Sequence, residues 1–392
     1  MTEKLIKENE NAFYVFDTKT LRNRVAHIRN SLPRGTQLCY AVKANPFISK
    51  EIIDTVERFE ICSQGEAEIC FELGIPTDKM VISGIYKTPS FIEKLASDTS
   101  FDGIFTAESL TQYKQLCELS EKYGRQLKVL PRLTNDSQFG MNDIDIIGII
   151  NGRDSYPNID IIGVQYFSGT QKTSLKKFRR ELEQLDRFIT ILKEEHGFTV
   201  KELEYGTGFP VSYFEGDDLD EAELFKGFSE LLENMENKPE IILELGRSIA
   251  ASCGKYYTHI VDIKTNKRQN YVLIDGGMHH IVYFGQHMAM KQPFFSVVGK
   301  QVRDTEKLWT ICGSLCSMND IVVKQIPLPE IEIGDVICFE NAGAYCMTEG
   351  ISLLLSRDLP AVYIIDKEGV LYRVRSTFET KALNTPRYER ID

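Results

Sequence analysis

Short apolar runs alternate with longer amphipathic segments as far as about residue 250. The runs contain Val, Ile, Tyr and Phe, as buried strands do, and the segments between them carry apolar residues at helical spacing. Eight such units in about 230 residues predict a parallel (β/α)8 TIM barrel, whose chemistry lies at the carboxyl ends of the strands. The predicted strands are 37–42, 59–62, 80–83, 103–106, 127–133, 159–167, 202–205 and 241–245. The predicted helices include 19–31, 50–58, 65–73, 88–97, 110–123, 175–196 and 221–236.

Beyond residue 250 the pattern changes to strands joined by turns, which is typical of an antiparallel β domain. The α/β fold class is therefore a TIM barrel with a C-terminal antiparallel β domain. Another strand is predicted at 13–17, ahead of the first helix. The strands predicted in the C-terminal part are 256–264, 270–274, 308–311, 335–339 and 361–366.

Composition narrows the possible partners. The chain has 392 residues and a net charge of −11, so it should not attract nucleic acid or anionic membrane surfaces. Its nine cysteines are scattered, which indicates a reducing compartment rather than a disulfide framework, and no metal site is suggested. The N-terminus lacks an apolar signal core and no run approaches membrane-spanning length. We expect a cytoplasmic protein.

One lysine stands out at the end of a buried strand. The segment 37–46 reads QLCYAVKANP, an apolar run that delivers Lys43 and then turns at Asn45-Pro46. Burial would disfavour the ammonium and favour a neutral amine that condenses with an aldehyde. Alternatively, the side chain extends to water, as single lysines at strand ends commonly do.

The segment 40–45, YAVKAN, resembles the lysine motif of the fold type III, alanine racemase-like decarboxylases that use pyridoxal 5'-phosphate, the ornithine and diaminopimelate decarboxylase family. Further family segments recur in the family's order from about residue 13 to about residue 345. The resemblance implies that Lys43 holds the cofactor as a Schiff base. It also implies a barrel domain over 18–250 and a β domain formed by 1–17 together with 251–392.

Two segments resemble the family's cofactor contacts at the seventh and eighth strands. GTGFP at 206–210 matches the family's GGGFP, which implies phosphate contacts for Gly206 and Gly208, although a Gly-x-Gly alone is usually only a tight turn. ELGR at 244–247 implies Glu244 at the pyridine nitrogen and Arg247 at the phosphate, although the two side chains could simply pair. An acid at that nitrogen keeps it protonated, which favours decarboxylation over racemisation.

Other matches complete the expected site. FSGTQ at 167–171 implies that Phe167 stacks on the cofactor in place of a histidine and that Thr170 contacts the phosphate. GAY at 343–345 places Tyr345 near the phosphate, and GSLC at 313–316 implies that Cys316 returns a proton to the substrate carbon. Because relatives supply this cysteine to the partner subunit, the resemblance implies a homodimer with shared active sites. Arg132 on the fifth strand and EICSQGE at 60–66 match further family segments.

Departures from the family pattern bear on the substrate. Ser317 follows Cys316 where amine-recognising relatives have an acid, and DGGMHH at 275–280 replaces the distal-carboxylate segment of diaminopimelate decarboxylases. A free charged distal end would therefore lack a partner. The segments SGTQ at 168–171, QFGM at 138–141 and GGMHH at 276–280 most resemble those of one subgroup of the family. That subgroup decarboxylates a glutamyl group tethered to an acyl carrier protein. His279 and His280 would contact the masked end, unless they are plain surface residues.

A basic run follows the sixth strand, and it could dock an acidic carrier protein or another anionic substrate. The alternative is an ordinary solvated helix face. The run consists of Lys172, Lys176, Lys177, Arg179 and Arg180.

The sequence thus predicts a pyridoxal-phosphate-dependent amino-acid decarboxylase, a carboxy-lyase acting on a small-molecule or carrier-tethered substrate. The alternatives are a diaminopimelate or other diamino-acid decarboxylase, a racemase, and a non-catalytic cofactor-binding protein. Glu244 argues against the racemase, and the β domain with Cys316 argues against the non-catalytic protein.

Overall fold

The computed structural model describes residues 2–286, 289–302 and 307–391, and the chain forms two compact units. The barrel unit consists of Arg22–Val211 and Leu219–Ile249. The β unit consists of Met1–Leu21, Ser212–Asp218 and Ala250–Asp392. This division differs from the predicted one mainly in 212–218, which lie within the predicted barrel range but belong to the β unit.

The barrel unit contains a closed parallel barrel, as predicted. Each strand pairs with the next one along the chain. The eighth strand also pairs with the first, with Glu244 opposite Cys39, and this pairing closes the barrel. The predicted strand 159–167 is in fact two strands, since the short Ile159–Ile161 ends before Gly163 and pairs only with the fifth barrel strand. The barrel strands are Gln37–Ala41, Arg58–Ile61, Met80–Ile82, Ile104–Ala107, Leu127–Leu133, Gly163–Phe167, Glu202–Gly206 and Glu240–Leu245.

Helices connect the strands and largely follow the predicted positions. The helix predicted at 50–58 is wrong: a 3-10 helix spans Pro46–Ile52, capped by the Asn45 side chain, and Arg58 already begins a strand. The helix Asp143–Asn151 was not predicted: its buried Ile146, Ile149 and Ile150 have helical spacing, but Ile144 and Ile147 place further apolar residues outside that face and obscure the pattern. The α-helices that cross or follow the barrel strands are Thr18–Asn30, Gln64–Glu72, Pro89–Ser97, Leu110–Tyr123, Asp143–Asn151, Leu175–Glu194, Glu221–Glu233 and Arg247–Ala250. Short 3-10 helices are Val42–Ala44, Thr77–Lys79 and Arg153–Ser155.

An apolar layer adjoins the polar residues at the carboxyl ends of the barrel strands. Ile242 and Glu244 share one face of the eighth strand because successive side chains alternate. Ile242 belongs to an apolar cluster, whereas Glu244 is itself buried, so the apolar layer supports a buried polar layer. The cluster consists of Cys39, Val81, Ile104, Leu130, Ile162 and Ile242.

The β unit contains a mixed sheet rather than a wholly antiparallel one. Phe13–Asp17 runs parallel to Ala361–Ile365 and antiparallel to Gly254–Asn266, and Gln269–Ile274 runs parallel to Leu308–Cys312. Aromatic packing joins the N-terminal strand to its neighbour, with the rings of Tyr14 and Tyr256 4.8 Å apart. The other strands are Phe295–Val297, Ile321–Pro327, Val336–Phe339 and Leu371–Arg375. The helices are Thr2–Glu8 and Lys381–Asn384, with 3-10 helices at Ala251–Cys253 and Leu354–Ser356.

Within the described ranges, no helix has the length and apolar character needed to cross a bilayer. The same residues contain no group of three or more His, Cys, Asp or Glu side chains that could hold a metal ion.

Candidate active site

Lys43 lies in the turn that follows the first barrel strand, and its amine donates a hydrogen bond to the Glu60 carboxylate. The Lys43 Nζ is also 3.3 Å from the Cys62 Sγ. Burial acts to raise the pKa of Glu60, but the Lys43 ammonium brings that pKa below its usual value. The expected desolvation of Lys43 is wrong: its side chain is 41% exposed, and the acid beside it is the buried partner.

Glu204 and Glu244 form a buried acid pair on the seventh and eighth strands. Burial, followed by the charges of Glu60 and Glu204, raises the pKa of Glu244 well above its usual value. Burial also raises the pKa of Glu204. The Gln165 amide donates to Glu244, and the Gln165 Oε1 is buried without a partner among the described residues. The pair therefore retains a proton well above the usual carboxyl range.

A cation on the second strand offsets part of this buried negative charge. The Arg58 Nη1 lies 3.1 Å from the Glu204 Oε2, and its Nη2 lies 2.8 Å from the Glu202 Oε2. Glu204 thus has a cation on one side and Glu244 on the other, which explains how two acids remain buried together.

The loops that follow the sixth and seventh strands contact each other closely. A Cβ on Gly208, whose φ is +60°, would lie 1.9 Å from the carbonyl oxygen of Gly169. A Cβ on Gly206 would lie 2.4 Å from the Phe167 ring. Both positions therefore require glycine, and the loops bearing Phe167 and Thr170 lie against the glycine segment.

Thr207 stands where the family has its middle glycine, and its side chain is turned inward. It is fully buried, and its Oγ1 accepts a hydrogen bond of 3.3 Å from the Phe209 amide. The side chain serves the turn itself, so the substitution leaves the neighbouring glycines unobstructed.

Lys172 corrects the predicted docking surface. It is only 4% exposed, and its Nζ donates to Glu181 at 2.7 Å, to Ser168 at 2.9 Å and to the Tyr205 hydroxyl at 3.2 Å. Its main-chain amide donates to the Gly208 carbonyl at 2.9 Å. Lys172 therefore fastens the two loops to the barrel instead of facing solvent. The other four members of the run are exposed, namely Lys176, Lys177, Arg179 and Arg180.

Arg132 is buried and bonded, with its Nη1 2.7 Å from the Glu108 Oε1. Its guanidinium lies 4.9 Å from the Phe139 ring centroid and 6.0 Å from that of Phe167. The Arg132 Nε has no hydrogen-bond partner among the described residues. Arg247 is also buried and begins the short helix after the eighth strand.

Several polar residues that the barrel places near this site were not predicted from the sequence. Lys87 lines a cavity of about 260 Å³ beside the third strand, and burial lowers its pKa to about 8. A usable signal existed for Gln165 and Glu204, because each is a polar residue at an inward position of an otherwise buried strand. Glu108 follows the fourth strand and has no such signal.

The remaining predicted residues lie in the β unit. Cys316 is exposed and Ser317 half-buried in the turn between Leu308–Cys312 and Ile321–Pro327, and Tyr345 is half-buried with a φ of +62°. His279 and His280 are buried, so the surface interpretation of the pair is wrong.

The two histidines differ in their bonding. The His280 Nδ1 lies 3.0 Å from the Tyr256 hydroxyl, and its Nε2 lies 2.8 Å from the Asp358 carbonyl oxygen. The Nδ1 of His279 is buried without a partner among the described residues. Burial lowers the pKa of His279 to about 3, so this imidazole is neutral at physiological pH.

Comparison with known proteins identifies the barrel unit. Residues 18–251 match the family model described as pyridoxal-dependent decarboxylase, pyridoxal binding domain. The chain belongs to the pyridoxal-dependent decarboxylases. Accordingly, it is a carboxy-lyase that uses pyridoxal 5'-phosphate.

Individual relatives of this decarboxylase differ in what they act on. It is 26% identical to diaminopimelate decarboxylase from Aquifex aeolicus, covering 85% of this chain and 81% of that protein. It is 24% identical to L-glutamyl-[BtrI acyl-carrier protein] decarboxylase from Niallia circulans, covering 95% and 92%. In fold it resembles diaminopimelate decarboxylase from M. jannaschii, crystallised with L-lysine, with a TM-score of 0.85, 21% identity and coverage of 97% and 93%.

The site of the decarboxylase fits its cofactor in three respects. An exposed primary amine stands at the barrel mouth on Lys43. A buried acid pair that retains a proton can face a basic ring nitrogen. Finally, the glycines at 206 and 208 leave room for close approach of backbone to a phosphate.

Replacing Lys172 by Met should weaken cofactor binding about tenfold, equivalent to about 1.4 kcal/mol. Methionine keeps the apolar stem but loses the bonds to Ser168, Glu181 and Tyr205, so the loop after the sixth strand is held less firmly against the barrel. The measurement is a titration of the cofactor-free enzyme with pyridoxal phosphate followed by absorbance. The exposed Lys176→Met is the matched control, and equal affinities for the two variants would contradict the role of Lys172.

Replacing Glu244 by Gln should flatten the pH dependence of stability in the cofactor-free enzyme. The pKa of Glu244 is raised on folding, so the folded state binds its proton more tightly than the unfolded chain does. Stability is then lost as pH rises above the ordinary carboxyl pKa of about 4.3. We expect the variant to lose less of its thermal midpoint than wild type between about pH 5 and pH 8. The exposed Glu240→Gln on the same strand should keep the wild-type slope.

Proposed function

We propose that this decarboxylase removes the α-carboxylate of an amino acid whose distal end is masked, with a glutamyl group tethered to an acyl carrier protein as the leading candidate. The proposal rests on Asp275 and Asp320, the two acids in the segments around His279 and Cys316. Both carboxyl groups already accept hydrogen bonds from other groups of the β unit. A free distal ammonium would therefore find neither acid available.

Asp275 is the first of these acids. Its carboxylate accepts from the Thr258 hydroxyl, from the His259 amide at 2.9 Å and from the His259 ring nitrogen at 3.0 Å. Asp320 is the second, with bonds of 2.7 Å from the Met278 amide and 2.8 Å from the Leu315 amide. Redirecting either carboxylate to a substrate amine would leave buried donors unpaired, which costs about 1–3 kcal/mol for each.

The neutral state of His279 supports the same conclusion for a free distal carboxylate. An imidazole whose pKa is about 3 cannot offer a positive charge, but it can donate or accept a hydrogen bond. That capacity suits the carbonyl of an amide or a thioester. Ser317, next to Cys316, is likewise a neutral hydrogen-bonding group.

Within the proposed site, Lys43 would hold the cofactor aldehyde, with Glu244 at the ring nitrogen and Phe167 against the ring. The groups proposed at the phosphate are Thr170, Gly206, Gly208, Arg247 and Tyr345. Bound pyridoxal phosphate would supply an electron sink for the bonding pair that stays on the substrate carbon when carbon dioxide leaves.

The chain's own residues control the protons of the reaction. Glu204 and Glu244 keep a proton between them in the cofactor-free site. Glu244 would give up this proton to the ring nitrogen, so that its carboxylate would pair with a protonated ring, the stronger electron acceptor. Glu60 takes a hydrogen bond from the Lys43 amine and can compensate its charge. We assign to Cys316 of a second copy of the chain the delivery of a proton to the substrate carbon, and to Arg132 a contact with substrate. The protein is then a homodimer with shared sites, acting in the cytoplasm.

The second candidate is a diamino acid, favoured by the similarity to the A. aeolicus diaminopimelate decarboxylase. The bonding of Asp275 and Asp320 argues against it. A racemase or a non-catalytic role fits less well with the decarboxylase family and with an acid pair on the seventh and eighth strands.

Carbon dioxide release from a panel of substrates tests the proposal. The panel contains free diaminopimelate, ornithine, lysine, arginine and glutamate, together with glutamyl carrier-protein thioesters. We expect kcat/KM for the tethered substrate to exceed that of every free amino acid by about 100-fold or more. Lys43→Ala should abolish turnover. Efficient use of any free diamino acid would refute the masked-end proposal while leaving the decarboxylase assignment intact.

Reversing two exposed charges tests carrier docking. The double variant Lys176→Glu with Lys177→Glu should raise KM for a carrier-tethered substrate about tenfold without changing kcat, since rim charges act mainly on encounter. A glutamyl thioester of pantetheine should be unaffected. The control pair Arg187→Glu with Lys193→Glu changes equal charge further along the same helix. An unchanged KM in the first pair would leave the run as a solvated face.

A further inference from the structure

A single buried carboxylate joins the loop that carries Cys316 to the segment that carries His279. We propose that Asp320 is a positioning residue, which fixes the Cys316 thiol for proton delivery by clamping these two segments together. The proposal rests on the function proposed for Cys316 above.

The clamp consists of hydrogen bonds to both carboxylate oxygens. The Asp320 Oδ1 accepts from the Met278 amide at 2.7 Å, and the Oδ2 accepts from the Leu315 amide at 2.8 Å. Asp320 is only 2% exposed, so water does not compete for either bond. One side chain therefore sets the distance between the backbone before His279 and the backbone before Cys316.

The main chain of Asp320 closes the same loop upon itself. The Gly313 amide donates to the Asp320 carbonyl at 2.9 Å, and the Asp320 amide donates to the Ser317 carbonyl at 3.2 Å. Residues 313–320 thus form a closed turn with Cys316 near its middle. Within that turn Cys316 is exposed and Leu315 is buried, so an anchored backbone presents an accessible thiol.

Two glycines make room for the carboxylate. A Cβ on Gly313 would lie 2.2 Å from the Asp320 Oδ2, and a Cβ on Gly277 would lie 2.6 Å from its Oδ1. The space around the carboxylate is therefore fitted on both sides, one glycine from each segment. An apolar side chain at position 320 could fill this space but could not bond the two amides.

A second, neutral connection links the same two segments. The Ser314 amide donates to the Gly276 carbonyl at 2.8 Å, and the Ser314 hydroxyl donates to the Asp275 carbonyl at 2.9 Å. With this connection alone the segments remain adjacent, but the backbone at Leu315 is released. Loss of Asp320 should therefore loosen the Cys316 turn without dismantling the sheet.

Replacing Asp320 by Asn provides the first test. Asparagine has one acceptor and one donor, so its NH₂ group must face either the Met278 or the Leu315 amide, and one bond is lost. We expect kcat to fall at least about tenfold, with KM and cofactor affinity within about twofold of wild type. The matched control is Asp262→Asn, a half-exposed acid on a strand of the same unit.

The rate of Cys316 alkylation by iodoacetamide, measured by peptide mass spectrometry, separates positioning from general stability. Asp320→Asn should change this rate at least about threefold while Cys62, a half-buried free cysteine in the barrel unit, reacts as in wild type. Gly313→Ala should produce the same pattern, because its Cβ would displace the carboxylate. Wild-type kcat and wild-type alkylation in Asp320→Asn would overturn the proposal.

Hydrogen exchange in the wild-type holoenzyme tests the clamp even where both variants fail to fold. The Met278 and Leu315 amides should exchange as slowly as those of the adjoining strands, and rapid exchange at Leu315 would overturn the proposal. If wild type releases no carbon dioxide from any substrate, the proposed function fails. The exchange and alkylation results then still decide whether Asp320 holds the turn.

Discussion

Three carboxylates are buried beside one another at the carboxyl ends of the barrel strands, and the rest of the site is arranged around this constraint. Glu60, Glu204 and Glu244 cannot all be ionised in a desolvated space, because transfer of each charge from water costs several kcal/mol. The three acids therefore differ in protonation state. Glu60 is ionised by its contact with Lys43, whereas Glu204 and Glu244 retain a proton and share the Gln165 amide.

This difference in protonation among the three acids explains why one site can contain both a charged amine and a protonated acid. Lys43 needs an anionic neighbour if its ammonium is to remain beside buried groups, and Glu60 supplies it. Glu244 has the opposite environment, because burial and then the charges of Glu60 and Glu204 raise its pKa. In the proposed cofactor site, its proton would be available to a basic ring nitrogen. The charge on Glu60 therefore influences both ends of the proposed cofactor site. The Arg58 guanidinium is bonded to Glu202 and Glu204, and its positive charge offsets part of the repulsion among the buried acids.

The sequence predicted the barrel because each strand is a short apolar run between amphipathic helices, a local property. It could not predict which charges are compensated, since that depends on strands distant in sequence. The sequence places Lys172 in a basic run and predicts that it is solvated. In the structure it is buried, and its amine is hydrogen-bonded to Glu181 and Tyr205. His279 follows a strand like a surface residue and is nevertheless enclosed. The parallel pairing of Phe13–Asp17 with Ala361–Ile365 escaped prediction for the same reason, because strand direction in a sheet is set by partners far along the chain.

Selectivity in such an enzyme can arise from groups that are already satisfied. In the β unit, the carboxyl groups of Asp275 and Asp320 are each bonded to backbone amides or to His259, and His279 is kept neutral by burial. A substrate with a free ammonium or carboxylate at its distal end would bring a charge that these groups cannot match, and the mismatch would grow as water is excluded. A substrate with a masked distal end carries no charge there, so neutral hydrogen bonds are enough to bind that end. The same bonds that hold the Cys316 turn in place would thus also exclude charged competitors, so catalysis and selectivity would depend on one set of carboxylates.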